Sequence, residues 1–246
     1  MIYIHAMFEP VITIITVCRN VLKDLQRTFE SVKSQTFSDY EYIIVDGAST
    51  DGTAEWLTKQ QNCTWVSEPD KGIYDAMNKG VHMAHGQWII FLNAGDTFFS
   101  HETLQETIPY LTPAYGLIYG DIVKLRHGEL IVKKAEEPHN AHRMFFCHQA
   151  LFTRKDLLQS TPFDITHTLS ADFKFVKQMY KNNIPMLHAP IIIAHFDTTG
   201  ASNQRVNKGL KDNIAVIKEL DNFGERLRLI PRLRFKILWN KLRGKD

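Results

Sequence analysis

The chain has 246 residues, 44% of them apolar and 23% charged, and a formal net charge of +2. That balance belongs to a folded globular protein and excludes a disordered chain. Three cysteines, Cys18, Cys63 and Cys147, stand far apart without C-x-x-C spacing, which excludes a disulfide framework or a structural zinc site of the common kind.

No segment reaches the roughly 18 consecutive apolar residues of a membrane span. The N-terminal MIYIHAMFEP has neither the basic start nor the apolar run of a signal peptide, so a cytoplasmic location is expected. No nucleic-acid partner is expected. The small net charge hides an asymmetry, because residues 224–246 hold eight Lys or Arg against Glu225 and Asp246.

In chain order, Val11 to Val17 is rich in β-branched residues and predicts a buried strand ending at Cys18-Arg19-Asn20. That exit contains no glycine, which argues against G-x-G-x-x-G dinucleotide binding, and no P-loop occurs anywhere in the chain. Leu22, Leu25, Phe29 and Val32 share a helical face through about Thr36, and Tyr42 to Val45 predicts a second buried strand. Strand, helix, strand implies parallel pairing. The next turn, Asp46-Gly47-Ala48-Ser49-Thr50-Asp51-Gly52-Thr53, offers polar groups for a nucleoside, or is an ordinary turn capping a helix through Gln61.

The segment from Ser67 to Asp96 reads as loop, amphipathic helix, buried strand and acidic turn. Ile73, Ala76, Met77, Gly80 and Ala84 recur at helical spacing, Gly86 ends the helix, and Trp88 to Leu92 suits a central strand. In an open parallel sheet, ligands gather outside the carboxyl ends of strands. Asp96 in that exit is either a hard oxygen ligand for magnesium or manganese or a helix cap. Lys71 is a candidate positive charge for a phosphate, and the helix starting near Gly72 offers backbone N–H groups to an anion.

Gly116–Leu125 and Leu130–Lys133 read as a hairpin across Arg126 to Glu129, with Asp121 at a strand edge. A polar loop from Glu136 to Arg143 precedes Phe145-Phe146-Cys147-His148-Gln149-Ala150. His139 and His142 have H-x-x-H spacing but no partner in register for zinc. Ser170-Ala171-Asp172 opens a helix with Phe173, Val176, Met179 and Tyr180 on its apolar face, placing Asp172 in the first turn, where a carboxylate favours the helix dipole. Ile191 to Ala194 predicts a last strand, followed by His195 and a polar exit from Phe196 to Ser202. The tail from Arg205 is helical in pattern, with Pro231 starting a new helix. Leu227, Ile230, Leu233, Ile237, Leu238 and Leu242 give it an apolar stripe suited to an anionic membrane surface, to the domain's own core, or to a dimer contact.

These motifs together resemble a family 2 glycosyltransferase of the GT-A fold, in the colanic-acid and capsular-polysaccharide type branch. Val45 to Thr53 is similar to V-D-D-G-S-x-D-G-T, with Gly47 at the second acid. Ser67 to Gly80, running into Phe91-Leu92-Asn93-Ala94-Gly95-Asp96, is similar to that branch, with Asn93 or Ala94 where the first acid of D-x-D would be.

The resemblance implies a nucleotide-diphosphate sugar donor, a divalent cation (Mn or Mg), and a glycan or lipid-linked acceptor. It implies that Asp46 contacts the donor base and that Thr16 lines the same pocket. Asp96 and His195 would hold the metal, Asp172 would be the base in an inverting transfer, and His148 and Gln149 would line the acceptor side. The expected architecture is one α/β domain over 1–223, donor half about 9–97 and acceptor half about 98–205, then a basic helix over 224–246. The competing readings are a sugar nucleotidyltransferase, whose Gly-rich basic loop after the first strand is missing at Cys18-Arg19-Asn20, and a non-catalytic sugar- or lipid-binding module.

Overall fold

The structure, a computed structural model, describes residues 9–126, 129–196 and 206–244. His127, Gly128 and the expected polar exit from Asp197 to Ser202 lie outside the described residues.

Strand β1 (Ile12–Cys18) is buried along its whole length, as its unbroken apolar and β-branched run requires. It pairs in parallel with β2 (Tyr40–Asp46) on one side and β4 (Trp88–Phe91) on the other. β3 (Thr64–Ser67) pairs in parallel with β2 and forms one rim of the sheet. Helix α1 (Leu22–Lys33) buries Leu25, Thr28, Phe29 and Val32, a single helical face. It stops short of the expected Thr36 because the Thr36 amide donates instead to the His101 carbonyl at 2.9 Å. Helix α2 (Thr53–Leu57) is likewise shorter than expected.

Helix α3 (Ile73–Met83) lies on the sheet face made by Ile15, Val17, Ile43, Val45, Ile89 and Phe91. The helix comes close because position 80 has no side chain: a Cβ there would lie 2.6 Å from Cγ2 of Ile15. Alternate residues Ile12, Ile14, Tyr42, Ile44 and Ile90 face the other way, toward α1.

The second half of the sheet contains β5 (Thr97–Phe98), β6 (Leu117–Arg126), β7 (Glu129–Lys133), β8 (Leu151–Arg154) and β9 (Met186–Phe196). The order is β3-β2-β1-β4-β8-β6-β9-β5, with β7 hairpinned onto β6, so the pairing changes from parallel to mixed beyond β4. Helices α4 (Thr103–Thr107), α5 (Lys155–Ser160) and α6 (Ala171–Lys181) flank it.

β9 is longer than the expected Ile191–Ala194 because it continues past Pro190. A register shift opposite Gly120 absorbs the missing amide, and the Ile191 carbonyl sits 2.6 Å from where a Cβ at 120 would be. Asp121 is not at a sheet edge. It is 9% exposed, and its Oδ1 accepts from the Ala135 amide at 2.8 Å and faces Nε2 of His188 at 3.0 Å.

Helix α7 (Val206–Leu220) leads to α8 (Phe223–Leu242), which opens with a capping box between Asn222 and Glu225. Pro231 does not start a helix; it lies inside α8. Leu229 and Leu233 are buried with Phe173, Leu210, Val216 and Ile217, and Ile230 and Ile237 pack against them. The single stripe read from the sequence is therefore two. At 100° per residue, Leu227, Phe235, Leu238, Trp239 and Leu242 fall on the outward side, and each is exposed by 46% or more.

Candidate active site

The carboxyl ends of β1, β2 and β4 reach the same rim of the sheet, and the turns leaving them are tied together by side chains. At the end of β2, Asp46 is fully buried. Its carboxylate accepts from the Ser49 amide at 3.0 Å, the Ser67 hydroxyl at 2.6 Å, the Ser49 hydroxyl and the Cys18 thiol. Burial, and then the neighbouring Asp46 charge, push the Cys18 thiol far up, so it remains a donor.

Asn20 sits in the left-handed region at φ 55°, where its Oδ1 accepts from the Thr50 amide at 2.8 Å. Asp51 accepts from the amides of Leu22 at 2.9 Å and Thr53 at 3.2 Å, which joins the starts of α1 and α2. Thr16 lies within the sheet with no exposed surface. Its hydroxyl donates to the Leu92 carbonyl at 2.7 Å and lies 3.0 Å from the Tyr42 hydroxyl, so it supports the β4 exit from below.

Gly47 explains how the chain departs from V-D-D-G. A Cβ at position 47 would lie 2.2 Å from Oδ2 of Asp70, so the Asp70 carboxylate fills the space beside the turn. Oδ1 of Asp70 accepts from the Gly72 amide at 2.8 Å, and Asp75 accepts from the Lys71 amide at 2.9 Å. The amides of Lys71 and Gly72 are therefore taken by the chain's own carboxylates, while the first amides of α3 itself are those of Ile73 and Tyr74. The Lys71 side chain remains at the exposed mouth of a depression lined also by Gly72, Tyr74, Asp75, Ile165 and Thr168.

Tyr74, in the first turn of α3, donates through its hydroxyl to Oδ1 of Asp172 at 2.7 Å. The Phe173 amide donates to the same oxygen at 2.8 Å. Burial and the adjacent Asp172 charge hold the Tyr74 phenol well above its ordinary value, so it is a proton donor to the carboxylate. Oδ2 of Asp172 has no hydrogen bond among the described residues, and the side chain is 20% exposed. Asn78 pins the approach to this carboxylate by exchanging two 2.9 Å hydrogen bonds with the backbone of Phe163.

His148 stacks on Phe91 at the end of β4, ring centroids 5.3 Å apart, and its Nδ1 lies 3.9 Å from Oδ2 of Asp172. Gln149 is 9% exposed, and its Oε1 accepts from the Cys147 thiol at 3.0 Å. Cys147 senses both halves of the rim. Burial first, and then the charges of Asp96 and Asp172, push its thiol up to about 12.

The exit of β4 is held by α1: the Thr28 hydroxyl donates to the Asp96 carbonyl at 2.7 Å and accepts from the Gly95 amide at 2.9 Å. Asp96 is 4% exposed, and no described residue satisfies the buried Oδ1 of Asn93 beside it. A carboxylate and an orphaned amide oxygen in one turn fit a hard divalent cation, which takes oxygen ligands. His195 is opposite Thr97 in the β5–β9 ladder and stacks on Phe99 at 5.3 Å. Its ring therefore lies on the face of β5 that carries Thr97 and Phe99.

A second acidic group, Asp164, His167 and Glu219, does not fit a metal as well, although its ligand atoms lie within 4.8 Å of one another. The Lys174 ammonium is already there, 2.6 Å from Asp164 and bonded to Glu219, while His167 is 2.7 Å from Asp212 and 2.9 Å from Glu219. It is an ion-pair knot between α6 and α7.

Sequence reasoning named Asp172, His148 and Asp96 but assigned nothing to Tyr74, Asn93 or Asp70. Tyr74 had a usable signal, a hydroxylated aromatic in the first turn of a helix that starts at the site rim. Asn93 had only its place where the first acid of D-x-D would be, and Asp70 had none, since its importance rests on contact with a glycine.

The sequence matches the Glycosyl transferase family 2 model over residues 13–180. The chain belongs to glycosyl transferase family 2. It is 30% identical over 223 residues to a PGL/p-HBAD biosynthesis glycosyltransferase of Mycobacterium bovis (strain BCG / Pasteur 1173P2), covering 82% of this chain and 83% of the relative. Among solved structures it is similar to the mannosyltransferase PcManGT of Pyrobaculum calidifontis in complex with GDP-Man and Mn2+, at TM-score 0.67 and 17% identity. It is also similar to S. aureus TarS 1-349 in complex with UDP, at TM-score 0.62 and 16% identity. These matches cover 87% and 86% of this chain, which spans 64% of the mannosyltransferase and 66% of the TarS fragment. The fold is GT-A, and the chain is a glycosyltransferase.

Proposed function

We propose that this glycosyltransferase moves a sugar, with inversion, from a nucleotide-diphosphate sugar to a hydroxyl of a glycan or lipid-linked acceptor in bacterial polysaccharide synthesis of the colanic-acid and capsular type. The observation that carries the reading is the Asp172 carboxylate. Tyr74 and the Phe173 amide fix one oxygen, and the other is left without a partner among the described residues beside His148. In a single displacement the acceptor oxygen forms its bond to the anomeric carbon, the nucleoside diphosphate leaves with the bonding electrons, and Oδ2 of Asp172 takes the hydroxyl proton.

The donor lies along the rim of β1, β2 and β4. Asp46 and its seryl partners shape the base side, Thr16 supports the floor, and the Lys71 ammonium faces the phosphates. Asp96, Asn93 and His195 would hold a manganese or magnesium ion. When bound, such an ion supplies positive charge against the developing charge of the leaving diphosphate. His148 and Gln149 form the acceptor side. In support, the two structural neighbours were solved with UDP and with GDP-Man and Mn2+, and the mycobacterial relative is named for PGL/p-HBAD biosynthesis.

The enzyme works at the cytoplasmic face of the membrane, with α8 as its lipid contact. Among the described residues no helix is long and apolar enough to cross a membrane. The outward stripe of α8 is flanked by Arg228, Arg232, Arg234, Lys241 and Arg243, which suits an interfacial helix on anionic lipid.

A thermal-shift screen of UDP- and GDP-sugars with manganese or magnesium tests the donor reading, since a ligand that binds only the native state raises its stability. A metal-dependent shift with one base class is expected. No shift with any donor contradicts the reading.

A further inference from the structure

The least expected group in the site is His148. Its side chain is 9% exposed, and no described residue bonds either ring nitrogen. Buried polar atoms in folded proteins nearly always have partners, so an imidazole with two bare nitrogens beside a carboxylate has a reason to be there. The ring cannot swing away easily, because it stacks on Phe91 and tilts against Phe163 at 6.0 Å. Oδ2 of Asp172 lies 3.9 Å from Nδ1, and this is the oxygen that Tyr74 leaves unbonded.

We propose that His148 is a positioning residue that acts through Asp172, receiving at Nδ1 the proton that Oδ2 has taken from the acceptor hydroxyl. The inference rests on Asp172 being the base. The steps balance without another reagent. The acceptor O–H proton moves to Oδ2 as the new C–O bond forms and the diphosphate leaves; it then moves to Nδ1, leaving a carboxylate and an imidazolium. Asp172 becomes an anion again while product is still bound, and the proton cannot return to the new glycosidic oxygen.

Burial makes the ring a neutral acceptor at the start, pushing its value below the ordinary one, while the Asp172 charge acts in the opposite sense. The titratable groups around the ring are Asp172 from α6, Tyr74 from α3 through Asp172, and Cys147 from its own turn. The transfer ends in an imidazolium beside a restored carboxylate, and the attraction between the two charges favours it. Shortening the 3.9 Å separation by about 1 Å brings Nδ1 and Oδ2 to hydrogen-bond distance.

The test uses the full chain in two arms. Nitrogen-15 NMR of the histidine ring, in wild type and Asp172→Asn, follows its titration. Loss of the carboxylate is expected to lower the His148 midpoint, and an unchanged midpoint overturns the proposal. Nucleoside diphosphate release from UDP-N-acetylglucosamine and GDP-mannose with manganese, water standing in for the acceptor, is then compared in His148→Phe, His148→Gln and Asp172→Asn.

Both His148 variants are expected to lose at least tenfold in kcat, with donor KM within twofold and the acid limb of the pH profile displaced. A wild-type kcat and pH profile in His148→Phe, with Asp172→Asn inactive, defeats the relay but leaves the base intact. Full release by Asp172→Asn rejects the reading of the site as a whole. A folded His148→Phe, checked by its melting temperature, separates either result from misfolding.

Discussion

The hydroxyl of Tyr74 and the carboxylate of Asp172, 98 positions apart in the chain, meet in a 2.7 Å hydrogen bond that joins α3 of the first half of the domain to α6 of the second. It aims one carboxylate oxygen and leaves the other for chemistry. Tyr74→Phe removes the bond and little volume. Hydrogen bonds to charged groups contribute about 1.5–3 kcal/mol. The variant is expected to fold, to lose roughly tenfold or more in kcat, and to melt a few degrees lower. Steady-state kinetics and calorimetry on the same preparation check this, and an unchanged kcat contradicts the assigned role.

Gly47 and Asp70 are coupled by contact. Gly47→Ala brings a methyl group to within 2.2 Å of the Asp70 carboxylate, which must turn away and give up its bond from the Gly72 amide, a loss of about 0.5–1.5 kcal/mol. The double variant Gly47→Ala with Asp70→Gly is expected to recover part of that loss. Denaturant midpoints of the two single variants and the double give the coupling, and simple additivity would show that the two positions do not interact.

The joint between α6 and α8 is built from charge. Asp221 is buried between Lys177 at 2.7 Å and Lys181 at 2.9 Å, and Lys181 also reaches Glu225 at 2.8 Å. The Lys181 hydrogen bond, ahead of the Asn222 amide, holds Glu225 at about 2, below its ordinary 4.5. Lys174 and Thr166 likewise hold Asp164 below the usual carboxylate range. A carboxyl whose folded value is depressed binds fewer protons than in the unfolded chain. The stability it provides is therefore present above the unfolded value and lost as pH falls toward the folded one. The melting temperature is expected to hold down to about pH 4.5 and then fall through pH 2. Lys181→Met should weaken that fall, and an identical pH profile in the variant would show that Lys181 does not set it.

The two faces of α8 separate stability from lipid binding. Leu233, fully buried, is expected to cost about 2–5 kcal/mol when replaced by Ala, measured by chemical denaturation. Replacing exposed Phe235, Trp239 and Leu242 by Ser should leave the melting temperature within a few degrees and remove sedimentation with phosphatidylserine vesicles. Equal vesicle binding by the triple variant and wild type would reject the outward face as a lipid contact.

Most of the N-terminal half was legible because its signals are local: an unbroken β-branched strand at Ile12–Cys18, helical spacing in α1 and α3, and carboxylates at strand exits. The second half was harder. Pro190 hid the true length of β9, because only the register shift opposite Gly120 makes a proline tolerable there. Pro231 was read as a helix start although α8 runs through it, held by its capping box and by Leu229 and Leu233 in the core. Leu227, Ile230, Leu233 and Ile237 looked like one stripe because spacing alone does not say which of two apolar faces finds a partner. In the site, Asp172 and His148 were nameable from motifs. The roles of Tyr74 and Asp70 depend on long-range neighbours that no spacing encodes, and that of Asn93 on a partner it lacks.

The measurement that bears most directly on the central claim is nucleoside diphosphate release by wild type and Asp172→Asn, assayed with the donor class identified by thermal shift. The substitution keeps the shape of the side chain and removes its ability to take a proton. Loss of about 10²–10⁴ in kcat, with donor binding retained, is the result expected for the base. Turnover within a fewfold of wild type would contradict it and assign Asp172 to holding α3 and α6 together.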